Sequence, residues 1–256
     1  MPNISPKAIV ERTAELADDV VVGPFAYVGP EARIGPGCVI ENNATVLART
    51  SLGARTRVFP MAVVGAAPAG GTGGECVLGE ANAVREHVTI FAGADRPTRI
   101  GSHNLLMIAS QIGAGAEVGD HGIFDNCTQV GAGATIEDYV RMSGFASAGD
   151  GVRVGAYAFV ASYAGVEADA PPFAMLQGYP VRVRGVNSRN LKACGFEQQD
   201  IHALKSAFRE LFNGRGSQVN RDALERLSAA GDLNPCVRKL VEALRAAVEA
   251  GDADDD

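Results

Sequence analysis

Tryptophan is absent and aromatic residues make up only 6% of the chain, so a core assembled around large rings is excluded. No stretch approaches eighteen continuous apolar residues, which excludes a transmembrane helix. Positive charge is not in excess. The 23 Lys and Arg against 30 Asp and Glu leave a formal charge of −7, which argues against nucleic acid or an anionic membrane as the principal partner. The five cysteines (Cys38, Cys76, Cys127, Cys194 and Cys236) are odd in number, widely spaced and without a Cys-x-x-Cys pair. They read as inert core thiols of a reducing compartment rather than a disulfide framework or a metal site. No charged-then-apolar leader opens the chain, so the expectation is a soluble, cytoplasmic protein. What is abundant is glycine, at 31 of 256 residues.

A single rule organises the chain. Every sixth residue from Ile100 is apolar: Leu106, Ile112, Val118, Phe124, Val130, Ile136, and so on to Val166. Two residues before most of them stands a small or β-branched side chain, as at Ser110, Ala116, Thr128 and Ala134. A period of six fits neither a free-standing helix nor a simple strand, and it requires a repeat architecture. Three such units per turn make a three-sided parallel β-helix with one apolar residue filling the interior from each side. Residues eighteen apart then stack about 4.8 Å apart. The narrow interior also explains why large rings are scarce.

The same phase runs from Ile4 to Val64, where many inward residues are followed by glycine, as in Val22-Gly23, Val28-Gly29 and Ile34-Gly35. These glycines are expected to serve a tight corner, through positive φ or close backbone approach. The β-helix is assigned to residues 1–172, interrupted by loops at 66–77 and 91–99, with about nine turns in all. Pro171-Pro172 is expected to end it. Residues 173–196 read as a connector, and 197–250 as a three-helix domain. Its stripes include Ile201, Leu204, Phe208 and Leu211 in the first helix, which Asn213-Gly214 stops. Asn220 caps the second helix, and Asn234-Pro235 opens the third. Residues 251–256 read as a disordered acidic tail.

Several strings resemble one family. They are Arg85-Glu86-His87-Val88-Thr89-Ile90, Asn104-Leu105-Leu106-Met107, Pro171-Pro172 with Gln177-Gly178, and Gly185-Val186-Asn187 with Leu191-Lys192 and Gly195-Phe196. In order and spacing they are similar to the UDP-N-acetylglucosamine O-acyltransferases that open lipid A synthesis, over nearly the whole chain. The resemblance implies a mainly β, left-handed parallel β-helix with a small C-terminal α-helical domain, and a homotrimer with clefts between prisms. It also implies acyl-carrier protein and a nucleotide sugar as partners, and neither cofactor nor metal. Asn104, Gln111, Gln177 and Asn187 are the substrate-binding candidates that it leaves.

The family's catalytic chemistry does not carry over. Its general-base histidine falls on Ala114, its supporting histidines on Gly133 and Gly149, and a further histidine on Phe91. The lysine-bearing loop after Gly65 is shortened to glycine and alanine, and the nucleotide-holding arginines fall on Ala193 and Cys194. Stacking shows the same loss independently. The hexads after Ile112 and Val130 both read Gly-Ala-Gly-Ala, and that after Ala148 reads Gly-Asp-Gly-Val. Asp150 is the weak acid/base candidate left on that face. Two functions follow as expectations. One is an acyltransferase-fold protein acting without the usual base, on a different acceptor. The other is a catalytically inactive trimeric binding or assembly protein.

Of the four histidines, His103 and His121 lie eighteen apart, and Tyr139 and Tyr157 continue the column outward from one face. Two readings stand open: a stacking platform or divalent-metal contact, or ordinary rung-on-rung packing. His87 and His202 read as surface residues.

Overall fold

The computed structural model describes residues 1–71, 73–212 and 218–254, with side chains up to residue 249. The expected stop at Asn213-Gly214 lies outside the described residues. Short strands, mostly of two residues, stack into three sheets of eleven, nine and eight strands, the faces of a left-handed parallel β-helix. We call them faces one, two and three in that order. Register follows the eighteen-residue rule, as in Gln111 beside Gln129 and Val118 beside Ile136. Arg57 instead pairs with Ala83, 26 residues on, so the first loop adds eight residues to a coil. Ala83 pairs with Leu105, 22 on, so the second adds four. Ala66, Cys76 and Val77 belong to strands, as do Phe91, Thr98 and Arg99, so both loops are shorter than the sequence suggests.

The inward residues fill the prism. Ile112, Phe124, Val130, Ile136 and Met142 are all buried, and the small residues two before them line the corners. Cys38 and Cys76 occupy such corner positions, and burial pushes the Cys76 thiol up to about 12. The prism does not stop at the two prolines. Ala170 bridges to Val154, and Ala174–Gln177 stacks on Phe159–Val160 with Phe159 beside Met175. That spacing is 16, so the prolines shorten one coil by two residues without breaking it.

At Gly23 and Gly29 the corner glycine serves close approach alone. A Cβ on Gly23 or Gly29 would lie 2.8 Å from the backbone of the next coil, and neither has positive φ. Positive φ falls two residues later in most hexads from the second coil on, on residues that include Phe25, His103, His121, Tyr139 and Phe145, at 57–61°. This left-handed conformation costs a non-glycine residue roughly 1 kcal/mol or more. An N–H to the neighbouring coil offsets it, as His121 to Ser102 and Tyr139 to Asp120, at 3.0 and 2.8 Å.

The stretch after the prism is more ordered than a connector. Ala174–Gln177 pairs antiparallel with Arg182–Val186. A short helix follows, α1 (Ser188–Ala193), then α2 (Gln198–Leu211), α3 (Arg221–Ala229) and α4 (Pro235–Asp254). Asn220 caps α3 by accepting from the Ala223 amide at 3.2 Å, and Asn234 accepts from the Cys236 amide at 2.9 Å at the start of α4. The last helix continues through 251 to Asp254, taking in the start of the stretch expected to be a disordered tail.

This phase makes a sharp prediction. Val130→Asp places an unpaired charge inside a coil and is expected to cost more than about 4 kcal/mol, leaving the chain unfolded. Ala132→Asp faces outward and is expected to leave the midpoint of thermal unfolding, followed by circular dichroism, within a few degrees.

Candidate functional site

Face two carries an outward column of Thr89, Gln111, Gln129, Ser147 and Gly165, each in register with the next. Beyond it the chain turns through Gly113-Ala114-Gly115, Gly131-Ala132-Gly133 and Gly149-Asp150-Gly151. Glycine is required at the first position of the first two turns. A Cβ on Gly113 or Gly131 would come within 2.5 Å of the next coil's backbone. The column and turns floor a groove of about 600 Å³. Its lining includes Pro68, Ala69 and Phe91 from the loop regions, and Glu167 and Tyr179 from the C-terminal side. The Tyr179 ring lies where a Cβ on Gly165 would meet it at 3.0 Å, and its hydroxyl donates to Glu167 Oε1 at 2.9 Å. That bond to a carboxylate raises the pKa of the phenol.

Gln111, Ala114 and Asp150 are brought together in this groove. Asp150 is already engaged there. Its Oδ1 accepts the Ala132 amide at 2.7 Å. Asp19, Asp120 and Asp138 accept amides of neighbouring coils in the same way, at 2.9, 2.6 and 2.8 Å. Asp150 therefore belongs to a recurring set of carboxylates that hold one coil to the next. Sequence reasoning missed Arg96. Its guanidinium lies along the turn column and donates to the Gly115 carbonyl at 2.9 and 2.6 Å and to the Gly133 carbonyl at 2.9 Å. Its signal was the Asp95-Arg96-Pro97 run of the second loop, but stacking arithmetic stops where a loop leaves the coil.

The other three candidates lie elsewhere. Asn104 is 1% exposed, and its side chain donates to the Gly119 carbonyl at 2.9 Å and accepts the Gly122 amide at 2.6 Å. It continues an interior ladder with Asn82, which donates to the Gly79 and Gly101 carbonyls, and it is not among the groove residues. Gln177 is exposed at the end of the antiparallel pair, beside Arg182. Asn187 is buried and donates to the Tyr157 carbonyl at 2.9 Å, while Asn190 of α1 reaches the Tyr139 carbonyl at 3.2 Å.

Those contacts explain the aromatic column. His103, His121, Tyr139 and Tyr157 stack with ring centroids 4.9, 4.7 and 4.9 Å apart. Phe173 extends the stack, and Phe196 meets Tyr157 edge-on at 4.9 Å. The column is rung-on-rung packing whose upper end is the seat of α1 and the chain that follows it. Near that seat, Arg182, Arg184, Arg189 and Lys192 are exposed, with no carboxylate in ion-pair contact among the described residues.

Comparison with known proteins gives a consistent picture. Residues 169–251 match the family model described as UDP-N-acetylglucosamine O-acyltransferase, domain 2, and residues 13–48 match the bacterial transferase hexapeptide repeat. The acyl-[acyl-carrier-protein]–UDP-N-acetylglucosamine O-acyltransferase of Saccharophagus degradans is 40% identical over 253 residues, 96% of this chain and 97% of that protein. Its counterpart in Akkermansia muciniphila is 43% identical over 249 residues, 94% and 96% of the two chains. Among solved structures, LpxA from Acinetobacter baumannii superposes with a TM-score of 0.88 at 26% identity, covering 95% of this chain and 96% of its own. The Francisella novicida UDP-N-acetylglucosamine acyltransferase gives 0.87 at 25%, covering 93% and 90%.

The groove yields its own test. Asp150→Ala is expected to cost about 1 kcal/mol, the net worth of one exposed hydrogen bond, read as a lower midpoint of thermal unfolding. Asp150→Asn keeps an accepting oxygen and is expected to leave both the midpoint and any acyl transfer unchanged. Loss of transfer at an unchanged midpoint would instead assign Asp150 as the base.

Proposed function

Because the chain belongs to the UDP-N-acetylglucosamine O-acyltransferase family, we propose that it moves an acyl chain from acyl-carrier protein to an acceptor held in the face-two groove. In this reading it does so without the base that O-acylation of UDP-N-acetylglucosamine employs. The observation that carries the reading is the groove itself. It lies on the face where the resemblance puts the chemistry, yet its lining has Ala114 at the base position and no imidazole among the described residues. General acid–base help is typically worth 10²–10⁴-fold. Ala193 and Cys194 stand where the resemblance puts a nucleotide-holding pair of arginines, and charge-assisted bonds to phosphate are worth roughly 1.5–3 kcal/mol each. The family's usual reaction, the opening step of lipid A synthesis, is therefore not the one this chain performs at speed.

The partners follow from surface chemistry. Arg182, Arg184, Arg189 and Lys192 are exposed cations within eleven residues of chain, a concentration of positive charge suited to an acidic carrier protein. Face three presents outward charges, including Arg33, Arg99, Glu117 and Arg153. The opposite edge, between faces one and two, exposes Phe25, Met61, Ile108, Phe145 and Tyr163. Such an apolar edge suits a homotrimer with the groove beside each subunit contact. No helix among the described residues is long and apolar enough to cross a membrane, and a cytoplasmic site of action accords with these partners.

A second reading is a non-catalytic trimeric binding or assembly protein. It is favoured by Asp150, whose Oδ1 is committed to the Ala132 amide.

A carrier-dependent acylation assay tests the first reading. With UDP-N-acetylglucosamine, no detectable ester is expected from the wild type or from Ala114→His, since the histidine alone leaves the nucleotide unheld. Robust wild-type ester formation would mean that another group serves as base. Separately, sedimentation is expected to show a trimer, and Phe145→Glu to shift it toward monomer at micromolar concentration. A wild-type monomer would defeat the trimer proposal.

A further inference from the structure

The edge between faces one and two is a single column of side chains. Phe25, Asn43, Met61, His87, Phe145 and Tyr163 all stand on it, with φ of 57–64°. One shared backbone conformation aims these side chains in a common direction, and neighbouring coils lie about 4.8 Å apart. Phe25, Met61, Phe145 and Tyr163 are each more than half exposed, and the Phe145 and Tyr163 rings stack at 5.1 Å. His87 interrupts this apolar run and is itself exposed. Its amide donates to the Pro60 carbonyl of the coil below at 3.4 Å, and the Ala109 amide of the coil above donates to the Glu86 carbonyl at 3.0 Å. Met61 and Ala109 are therefore its neighbours along the column.

The prism's other two edges are occupied. The edge between faces two and three is crossed by Arg96, held on the Gly115 and Gly133 carbonyls. The edge between faces three and one carries the His103–Tyr157 stack and seats α1 through Asn190. A three-fold assembly of parallel prisms can turn one edge of each inward, and the apolar edge is the one that gains by leaving water. Packed in this way, each level of the column meets the same level of its two copies. Three His87 imidazoles then converge around the axis. A neutral imidazole enclosed among apolar side chains has a ring-nitrogen lone pair to satisfy. Ala109 places only a methyl group above it, which leaves space on the axis for a further ligand such as water. Three neutral imidazoles with one open position are a ligand set for zinc and similar ions.

We propose that His87 from three copies of the chain forms a site for a divalent transition metal on the three-fold axis, with one ion per trimer, and that the ion locks the assembly. The inference rests on the homotrimer put forward above. Within one chain, no three His, Cys, Asp or Glu side chains are grouped to hold a metal among the described residues. The site is complete only when all three copies contribute. Its role is structural, because it lies on the prism edge and is not among the residues that line the face-two groove.

The probe is zinc, with cobalt as its coloured substitute, added to the full chain after treatment with a chelator. Unbound metal is removed by gel filtration, and metal per chain is measured by plasma mass spectrometry alongside sedimentation. The trimer is expected to keep one zinc for every three chains, and its cobalt form to show the visible absorption of a four-coordinate ion. Zinc is expected to lower the dissociation constant of the trimer at least about tenfold, since the ion binds the assembly and not the separate chain. His87→Ala is expected to remain trimeric at high concentration and to keep no zinc. Phe145→Glu retains His87 and is expected to lose zinc together with the trimer. Zinc kept by His87→Ala, or by a monomer, overturns the site. A wild-type trimer that keeps no zinc overturns the site and leaves the trimer standing. A wild-type monomer overturns both.

Discussion

Everything in this molecule depends on the vertical repeat of backbone hydrogen bonds from one coil to the next. Strands of two residues have no stability alone and exist because each is paired above and below, about 4.8 Å away. That spacing dictates the rest. It requires an apolar residue inward at every sixth position and a small residue beside it. It requires glycine where two turns nearly touch, as at Gly113 and Gly131. It also makes identical chemistry stack, so that rings lie on rings and asparagines bond to asparagines.

Stacking decides which polar residues remain available. Asn82 and Asn104 occupy interior corner positions, and the hydrogen bonds found for their side chains go to glycine carbonyls and amides inside the prism. Asp19, Asp120, Asp138 and Asp150 tie neighbouring coils through backbone amides. An asparagine or aspartate in a β-helix is thus first a structural residue, because every turn offers it an unpaired backbone group at hydrogen-bond distance. Residues free to meet a ligand are those on the outward strand columns, such as Gln111 and Gln129, or those brought in from outside the coil, such as Tyr179.

The groove is a composite of these two sources. Its floor is regular sheet, fixed by register, and its ends come from segments that leave the sheet. Pro68 and Ala69 belong to the first loop, and Tyr179 follows the strand Ala174–Gln177. The C-terminal helices reach the prism through a different edge, where Asn187 and Asn190 bond to carbonyls of the aromatic column. The exposed cations Arg182, Arg184, Arg189 and Lys192 lie close in sequence to that attachment.

The six-residue period determined the fold class, the inward set, the eighteen-residue stacking and the His103–Tyr157 column, because a β-helix maps sequence position onto space by simple counting. Ala114 and Asp150 could be placed on one face with Gln111 for the same reason. Counting has no purchase where the chain leaves the repeat. Arg96 lies across two turns, Tyr179 folds over Gly165, and Asn187 docks a helix, and each contact joins segments whose separation in sequence carries no period. Nor could counting tell an engaged side chain from a free one. Asn104 and Asp150 look available in the sequence, and only the packed coils supply the carbonyls and amides that occupy them. The sequence by itself determined where each residue of the prism stands. The tertiary structure decided which of them are still free to act, since that depends on partners contributed by the neighbouring coil, the two loops and the C-terminal chain.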